Sequence, residues 1–162
     1  MDLFFLTITW LGSLYVLAPL SLVLAAKLFS SQRYTDLLLL LGGLAGISFI
    51  VHGLKLLVAR PRPPVEGLLV AMPSDFSFPS AHTAQVTAFL FACALIFAKE
   101  LPPREALLLW SGLGMIALLV GVSRIYLKVH YISDVVVGLV LGALWIFFLQ
   151  WLLNAYGDRG MV

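Results

Sequence analysis

A histidine and two ionisable neighbours occur together in the segment 123–134, between two long apolar runs. His130 and Asp134 are spaced so that a helix beginning near His130 would place both side chains on one face, one turn apart. A carboxylate in that position can hold the proton of one imidazole nitrogen and leave the other nitrogen free to act as a nucleophile. Arg124 adds a fixed positive charge whose fork of donors suits phosphate oxygens. The segment therefore contains a candidate nucleophile, an orienting carboxylate and an anion clamp.

Two further clusters could serve the same chemistry: Lys55 with Arg62, and Ser80 with His82. A phosphate ester carries one to two negative charges, and a lysine with two arginines can neutralise it as charge shifts during a displacement. Pro79 and Ser80 are typical of a helix N-terminus, which would add backbone N–H groups and a positive dipole end. His82, in the first turn of that helix, could protonate a departing alkoxide.

Each of these residues also has a purely structural interpretation. Lysines and arginines near the ends of membrane spans often only extend to the interface, and a serine after a proline is often only a cap. His52 lies on the helix face of Lys55, and we leave it outside the catalytic set. We interpret four other charged residues as solvated or interfacial, and the two acidic ones are too far apart in a loop to predict a metal site: Arg60, Glu66, Asp75 and Lys128.

The composition indicates an integral membrane protein. The chain has 162 residues, of which 62% are hydrophobic and only 11% are charged, and its mean hydropathy is +1.05. A soluble domain would have about a quarter of its residues charged. A net charge of +2 without a basic run excludes a nucleic-acid partner. The single cysteine, Cys93, lies in an apolar run and predicts neither a disulfide framework nor a thiolate metal cluster.

The apolar runs predict an all-α, polytopic transmembrane bundle of about five spans, organised as one domain over residues 1–162. A loop of about 20 residues from Arg60 to Pro79 interrupts them, and loops of that length are often functional. Glycine pairs spaced for close helix packing occur in the second and fifth spans, at Gly42 with Gly46 and at Gly138 with Gly142. The predicted spans are 3–26, 37–54, 80–98, 106–122 and 135–156.

Five spans place all three clusters at one side of the membrane. The turns near Gln32 and Pro102 and the C-terminus then lie on the other side, together with five basic residues. The side of the site also has five basic residues, but three of them are assigned to the site, which leaves Arg60 and Lys128. On that count the positive-inside rule puts the turns in the cytoplasm and the candidate site outside it, facing the periplasm or exterior of a bacterial cell membrane. The basic residues on the side of the turns are Lys27, Arg33, Lys99, Arg104 and Arg159.

The three clusters together closely resemble the tripartite signature of the type 2 phosphatidic acid phosphatase family, membrane lipid phosphatases related to the vanadium haloperoxidases. The first motif of that family, Lys, six residues and Arg-Pro, is matched from Lys55 to Arg62-Pro63. The second, Pro-Ser-Gly-His, is matched by residues 79–82. The third, Ser-Arg, five residues, His, three residues and Asp, is matched from Ser123 to Asp134. Order and spacing agree across about half of the chain.

The resemblance implies a role for each matched residue. His130 attacks phosphorus and forms a phosphohistidine, Asp134 orients it, and His82 protonates the leaving group. The family also implies that no metal or other cofactor is needed. The remaining matched residues hold the phosphoryl oxygens: Lys55, Arg62, Ser80, Ala81 through its backbone N–H, and Arg124.

The chain departs from the family pattern in two ways. Ala81 replaces the usual glycine, and its methyl group would oppose a positive φ or a very close approach of phosphate. Membrane members commonly have three spans before the first motif, whereas this chain has two, so its N-terminus is expected on the side of the site.

We therefore expect an integral-membrane lipid phosphatase of the cell envelope, acting in lipid metabolism on a lipid phosphate within the bilayer. Candidate substrates are polyprenyl diphosphate, phosphatidylglycerol phosphate, phosphatidic acid and lipid A phosphate. A lipid phosphotransferase using the same covalent step is one alternative, and a non-catalytic phospholipid carrier is another.

Overall fold

The structure, a computed structural model, describes residues 1–64 and 67–157, and the regular secondary structure over those ranges is entirely helical. Glu66 and the tail that includes Arg159 lie outside the described residues. The helices are α1 (Asp2–Ile8), α2 (Leu14–Ser30), α3 (Tyr34–Val58), α4 (Ala81–Ala98), α5 (Pro103–Tyr126) and α6 (Ile132–Gly157), with a 3₁₀ turn (Thr9–Gly12) between α1 and α2.

Four helices, α3 to α6, are long and apolar enough to cross a membrane, and a bent N-terminal pair can supply a fifth span. The predicted all-helical, multi-span architecture is therefore confirmed. The prediction of one continuous first span was wrong, because α1 with its 3₁₀ turn meets α2 at 48°. Ser13 makes the break: its backbone is extended at φ −83° and ψ 139°. Its Oγ caps α2 by accepting a hydrogen bond from the N–H of Tyr15 at 3.3 Å.

Helix α4 is the centre of the bundle and packs against α3, α5 and α6. Most of its side chains are buried, among them Val86, Phe89 and Ile96. The surrounding helices expose many large apolar side chains, such as Phe49 on α3 and Leu107 on α5. Exposed apolar surface on this scale suits helices that face lipid.

Close contact between α4 and α6 depends on two glycines of α6. A Cβ at Gly142 would lie 2.6 Å from the carbonyl oxygen of Ala84, and one at Gly138 would lie 2.9 Å from that of Ser80. The predicted packing role of these glycines is confirmed, and it brings the start of α6 against the start of α4. There the N–H of Ser80 donates to the carbonyl oxygen of Asp134 at 3.0 Å.

The charged turns at the opposite end of the bundle form an ion-pair network. Arg33 lies 2.6 Å from Asp36 and 2.5 Å from Glu100, and Lys99 lies 2.7 Å from Asp36. These pairs join the α2–α3 turn to the α4–α5 turn, so part of the basic charge at this end is balanced within the protein.

Candidate active site

His130 and Asp134 form a buried pair at the start of α6. The helix begins at Ile132, so His130 lies just before it, and the chain turns to bring Nδ1 within 3.3 Å of Asp134 Oδ2. Only 4% of His130 and none of Asp134 is exposed. The same carboxylate oxygen accepts hydrogen bonds from the Tyr131 N–H at 3.0 Å and from the Ser77 hydroxyl. With its proton on Nδ1, His130 has an unprotonated Nε2.

The Nε2 side of His130 faces a small pocket. Arg62 Nη1 lies 3.3 Å from this nitrogen and also donates to the Val129 carbonyl at 2.7 Å. Burial lowers the pKa of His130, the hydrogen bond that His130 donates to Asp134 raises it, and the charges of Arg62, Arg124 and Lys55 lower it again, to about 4. The imidazole is therefore neutral, the form that a nucleophile requires, over most of the pH range.

Three cations surround the same pocket, and each is largely buried. Lys55 is 3% exposed and Arg124 is 5% exposed, and the Arg62 side chain is 8% exposed. Arg124 donates from Nη1 to Thr9 Oγ1 at 2.7 Å. Its buried Nε has no hydrogen-bond partner among the described residues. A buried, unpartnered guanidinium nitrogen beside two other cations is suited to an anionic ligand.

Asp75, in the loop before α4, bridges two of these cations. Its carboxylate lies 3.0 Å from Lys55 Nζ and 2.5 Å from Arg62 Nη2. Burial raises the pKa of the Asp75 carboxyl, but the hydrogen bonds and charges of Lys55 and Arg62 outweigh burial and bring the pKa below its usual value. The interpretation of Asp75 as a merely solvated loop charge was wrong, because the carboxylate, although half exposed, is paired with both cations.

The start of α4 contributes to the pocket unequally. Ala81 and His82 line it. Ser80 is fully buried behind them, and its Oγ accepts a hydrogen bond from Thr83 Oγ1 at 2.9 Å instead of capping the helix. Ala81 is not among the residues with a positive φ, so its methyl group meets no backbone strain.

The pocket has a volume of about 200 Å³. An apolar cavity of about 610 Å³ adjoins it, and the two share Ser13, Tyr15, Pro73, His82 and Arg124. The structure therefore brings six of the predicted site residues together in the lining of one pocket: Lys55, Arg62, Ala81, His82, Arg124 and His130. Asp134 and Ser80 are buried and are not part of the lining. The residues lining the pocket are Ser13, Leu14, Tyr15, His52, Lys55, Arg62, Pro73, Asp75, Ala81, His82, Gln85, Arg124 and His130.

A family model described as the PAP2 superfamily matches residues 36–157. The chain belongs to the PAP2 superfamily. It is 35% identical over 144 residues to phosphatidylglycerophosphatase B of Bacillus subtilis, a match that covers 88% of this chain and 70% of that protein. It is 39% identical over 105 residues to decaprenylphosphoryl-5-phosphoribose phosphatase of Mycobacterium tuberculosis, covering 59% of this chain and 51% of that one.

A crystal structure from the same superfamily has the same fold. The transmembrane PAP2 type phosphatidylglycerolphosphate phosphatase from Bacillus subtilis superposes with a TM-score of 0.82 at 31% identity. The match covers 98% of this chain and 77% of that chain. The resemblance drawn from the three sequence motifs is therefore confirmed, and this PAP2 chain is an integral membrane protein.

Sequence reasoning missed two residues that contact the Asp134 carboxylate in the candidate site. Arg60 Nη1 lies 2.9 Å from Asp134 Oδ1, so its interpretation as a solvated or interfacial charge was wrong. Ser77 is fully buried and donates to Asp134 Oδ2. The available signal was proximity in sequence, since Arg60 is next but one to Arg62 and Ser77 precedes the second motif. Lys128 is exposed, as expected.

His52 lines the pocket, but its Nδ1 makes a hydrogen bond of 2.7 Å with the Ser48 carbonyl oxygen within α3. Among residues 1–64 and 67–157, no group of three or more histidine, cysteine, aspartate or glutamate side chains is arranged to hold a metal ion.

Proposed function

We propose that this chain is an integral-membrane lipid phosphatase that removes a terminal phosphate from a lipid phosphate or diphosphate through a phosphohistidine on His130. The observation that carries the proposal is the orientation of one imidazole. Its Nδ1 is held by the buried Asp134 carboxylate, and its Nε2 side faces a pocket lined by Lys55, Arg62 and Arg124. Binding alone would need the cations but not an oriented imidazole.

The proposed reaction has two displacements. In the first, the Nε2 lone pair of His130 attacks phosphorus, a bond from nitrogen to phosphorus forms, and the bond from phosphorus to the lipid oxygen breaks. Protonated His82 gives its proton to the departing oxygen. In the second, His82 takes a proton from water, the water oxygen attacks phosphorus, and the bond to Nε2 breaks. The products are the lipid alcohol, or lipid monophosphate from a diphosphate, and inorganic phosphate.

The cations and the helix terminus bind the phosphoryl group in this proposal. Lys55, Arg62 and Arg124 neutralise its charge, and the unpartnered Nε of Arg124 can donate to one oxygen. Ala81 and His82, in the first turn of α4, line the same pocket, and the start of the helix adds the positive end of its dipole. Ser80 lies behind the wall and is better placed to fix the start of α4. No step requires a metal ion.

The apolar surroundings favour a lipid over a soluble ester. The 610 Å³ cavity beside His82 and Arg124 is mostly apolar and is lined by Leu6, Trp10 and Val70 among others. A second apolar groove, between α2 and α3, shares Leu14 with the 200 Å³ pocket beside His130, which we call the phosphate pocket. The relatives act on phosphatidylglycerophosphate or decaprenylphosphoryl phosphoribose, by their names. We propose the same class here, with polyprenyl diphosphate, phosphatidic acid and lipid A phosphate as further members of the assay panel.

Phosphate release from this panel in detergent tests the proposal. We expect turnover that survives EDTA, and incubation with ³²P-labelled substrate should give an acid-labile, alkali-stable protein phosphate. His130→Ala should lower kcat by at least roughly 10²-fold and abolish labelling. Arg104→Gln, at the far end of the bundle, is the control and should behave as wild type. Activity that persists in His130→Ala would refute the mechanism.

Product analysis separates hydrolysis from phosphoryl transfer. The apolar cavity next to His82 is large enough to hold an acceptor alcohol, which is the observation that favours a phosphotransferase as second candidate. Adding a lipid alcohol should leave inorganic phosphate as the main product if the chain is a phosphatase. A new phospholipid formed at the expense of phosphate would identify a transferase. Binding of lipid phosphate without turnover would identify a carrier.

We also propose that residues 1–162 form one domain in a bacterial inner membrane, with the site facing the periplasm or exterior. The family match covers residues 36–157, and the N-terminal Thr9 and Ser13 contact the same site, which supports one unit. Cysteines at Ser74, in the loop beside the site, and at Ser31, in the opposite turn, are matched exposed positions. A membrane-impermeant maleimide should label Ser74→Cys but not Ser31→Cys in intact cells, and the reverse pattern would invert the topology.

A further inference from the structure

Arg60 makes three contacts behind the candidate nucleophile. Its Nη1 donates to Asp134 Oδ1 at 2.9 Å and to Ser133 Oγ at 2.7 Å. Its guanidinium carbon lies 3.9 Å from the centre of the Tyr131 ring, a cation–π geometry. The side chain is 34% exposed, whereas Asp134 is fully buried. Arg60 therefore contacts the carboxylate at Oδ1, and it is not among the residues that line the phosphate pocket.

A fully buried carboxylate needs a compensating charge close by. His130 is neutral as a nucleophile and brings only a hydrogen bond, and Ser77 and the Tyr131 N–H bring dipoles. Lys55 lies on the pocket side, where its Nζ is bound to Asp75 and to the Phe76 carbonyl. Among the described residues, Arg60 is the cation in direct ion-pair contact with Asp134.

The charge on Asp134 decides which imidazole nitrogen can react. An ionised carboxylate accepts the Nδ1–H of His130 and leaves the Nε2 lone pair free. A carboxylate that loses its counter-ion takes up a proton more readily and can then donate to Nδ1. The imidazole proton would move to Nε2, and that nitrogen could no longer attack phosphorus.

We propose that Arg60 is a positioning residue that acts through Asp134, and that together with Ser77 it keeps the carboxylate ionised and fixed so that His130 presents a free Nε2 to the substrate. The inference rests on the proposed function. Arg60 lies outside the phosphate pocket, so its loss should slow phosphohistidine formation without weakening the binding of phosphate. A phosphate-binding arginine would have the opposite signature.

The test measures kcat and the dissociation constant of inorganic phosphate, which binds without forming a bond to His130, for purified variants in detergent. Arg60→Gln should lower kcat about 10- to 100-fold, the range seen when the outer partners of metal-binding histidines are removed, with phosphate affinity close to wild type. Arg60→Lys should recover most of the rate, because a single nitrogen of Arg60 makes both hydrogen bonds. Arg104→Gln is the matched control.

A double-mutant cycle asks whether the effect passes through the carboxylate. In an Asp134→Asn background, Arg60→Gln should cause little further loss. An equal loss in both backgrounds, or a parallel loss of phosphate affinity, would overturn the inference. Unchanged kcat in Arg60→Gln would do the same.

Two further variants keep the outcomes distinct. If Arg60→Gln fails to fold, Ser77→Ala tests the same carboxylate through its other oxygen, Oδ2, and should also lower kcat without changing phosphate affinity. Loss of phosphate affinity in Ser77→Ala would then count against the inference. Full activity in His130→Ala would remove the proposed function itself, whereas an inactive His130→Ala beside a fully active Arg60→Gln would remove only the role of Arg60.

Discussion

The Asp75 carboxylate lies 2.5 Å from Arg62 Nη2, so a loop carboxylate holds a guanidinium that the proposed reaction assigns to the phosphoryl group. The same carboxylate also reaches Lys55. Two anions cannot share these donors at close range without repulsion. We therefore expect phosphate to compete with the Asp75 carboxylate for Arg62 and Lys55.

Replacing Asp75 by asparagine should strengthen the binding of phosphate mimics. The change keeps the shape of the side chain and removes the competing charge, and a half-exposed ion pair is worth about 1 kcal/mol, so we expect a few-fold to roughly tenfold lower inhibition constant for orthovanadate. The measurement is vanadate inhibition of lipid phosphate hydrolysis at fixed ionic strength. Weaker inhibition in Asp75→Asn would mean that Asp75 holds the two cations in place instead of competing for them.

The pH dependence of kcat/KM should reflect a strongly shifted His130. Its pKa is lowered to about 4 by burial and by the surrounding cations, from the ordinary histidine value of 6.5. The folded protein therefore keeps His130 neutral between those values, where an unfolded chain would protonate it. We expect activity to survive below pH 6.5 and to fall near pH 4, after correction for substrate ionisation by ³¹P NMR. An acid limb centred on pH 6.5 would show a solvated imidazole.

The same shift has a consequence for stability. Between its folded and unfolded pKa values the unfolded chain binds the extra proton on His130, so the free energy of unfolding should fall as pH decreases from 6.5 towards 4. Thermal unfolding in detergent across that range, compared with His130→Phe, measures this contribution. A slope that is identical in both proteins would assign the pH dependence to other groups.

The sequence allowed prediction of the site residues that occur in spaced motifs on or beside the spans. His130 and Asp134 are close along the chain, and long apolar runs determine which helix ends meet. The proline-rich loop contains Arg60, Asp75 and Ser77, and no periodicity there indicates which way a side chain points. Arg60 and Asp134 are 74 positions apart in the sequence, so their contact could not be inferred from spacing. The break at Ser13 was missed because an uncharged apolar run gives no signal for a bend. A serine within such a run can either cap a new helix or remain inside a continuous one, and the sequence does not distinguish the two.

The bend determines the position of Thr9, and the Thr9 hydroxyl should matter for phosphate binding. The 3₁₀ turn places Thr9 Oγ1 2.7 Å from Arg124 Nη1, with both residues buried. Thr9→Val keeps the shape of the side chain and removes the acceptor, so we expect the vanadate dissociation constant to rise a few-fold to about tenfold. A hydrogen bond to a charged group is worth about 1.5–3 kcal/mol, and a new hydrogen bond from Arg124 to the ligand would offset part of this loss. Thr7→Val, the same change at an exposed threonine of α1 whose hydroxyl donates only to the Leu3 carbonyl, is the control. Unchanged vanadate binding would mean that other contacts suffice to hold Arg124.

Small residues at the α4–α6 contact should be needed for both stability and activity. A methyl group at Gly138 would lie 2.9 Å from the Ser80 carbonyl oxygen, and one at Gly142 would lie 2.6 Å from that of Ala84, whereas a methyl group at Gly114 on α5 meets nothing within 4 Å. We expect Gly142→Ala to lower stability by about 1–3 kcal/mol through overpacking, and Gly114→Ala to leave it unchanged.

Gly138→Ala should have an additional effect on catalysis. The added methyl group would push α6 away from α4 one turn from Asp134, whose backbone carbonyl accepts a hydrogen bond from the Ser80 N–H at 3.0 Å. The Asp134 carboxylate should therefore shift relative to His130. We expect kcat to fall more than in Gly142→Ala at equal stability. Thermal unfolding and kcat measured on the same preparations separate the two effects. If both variants lost activity only in proportion to their stability, the contact would serve folding alone.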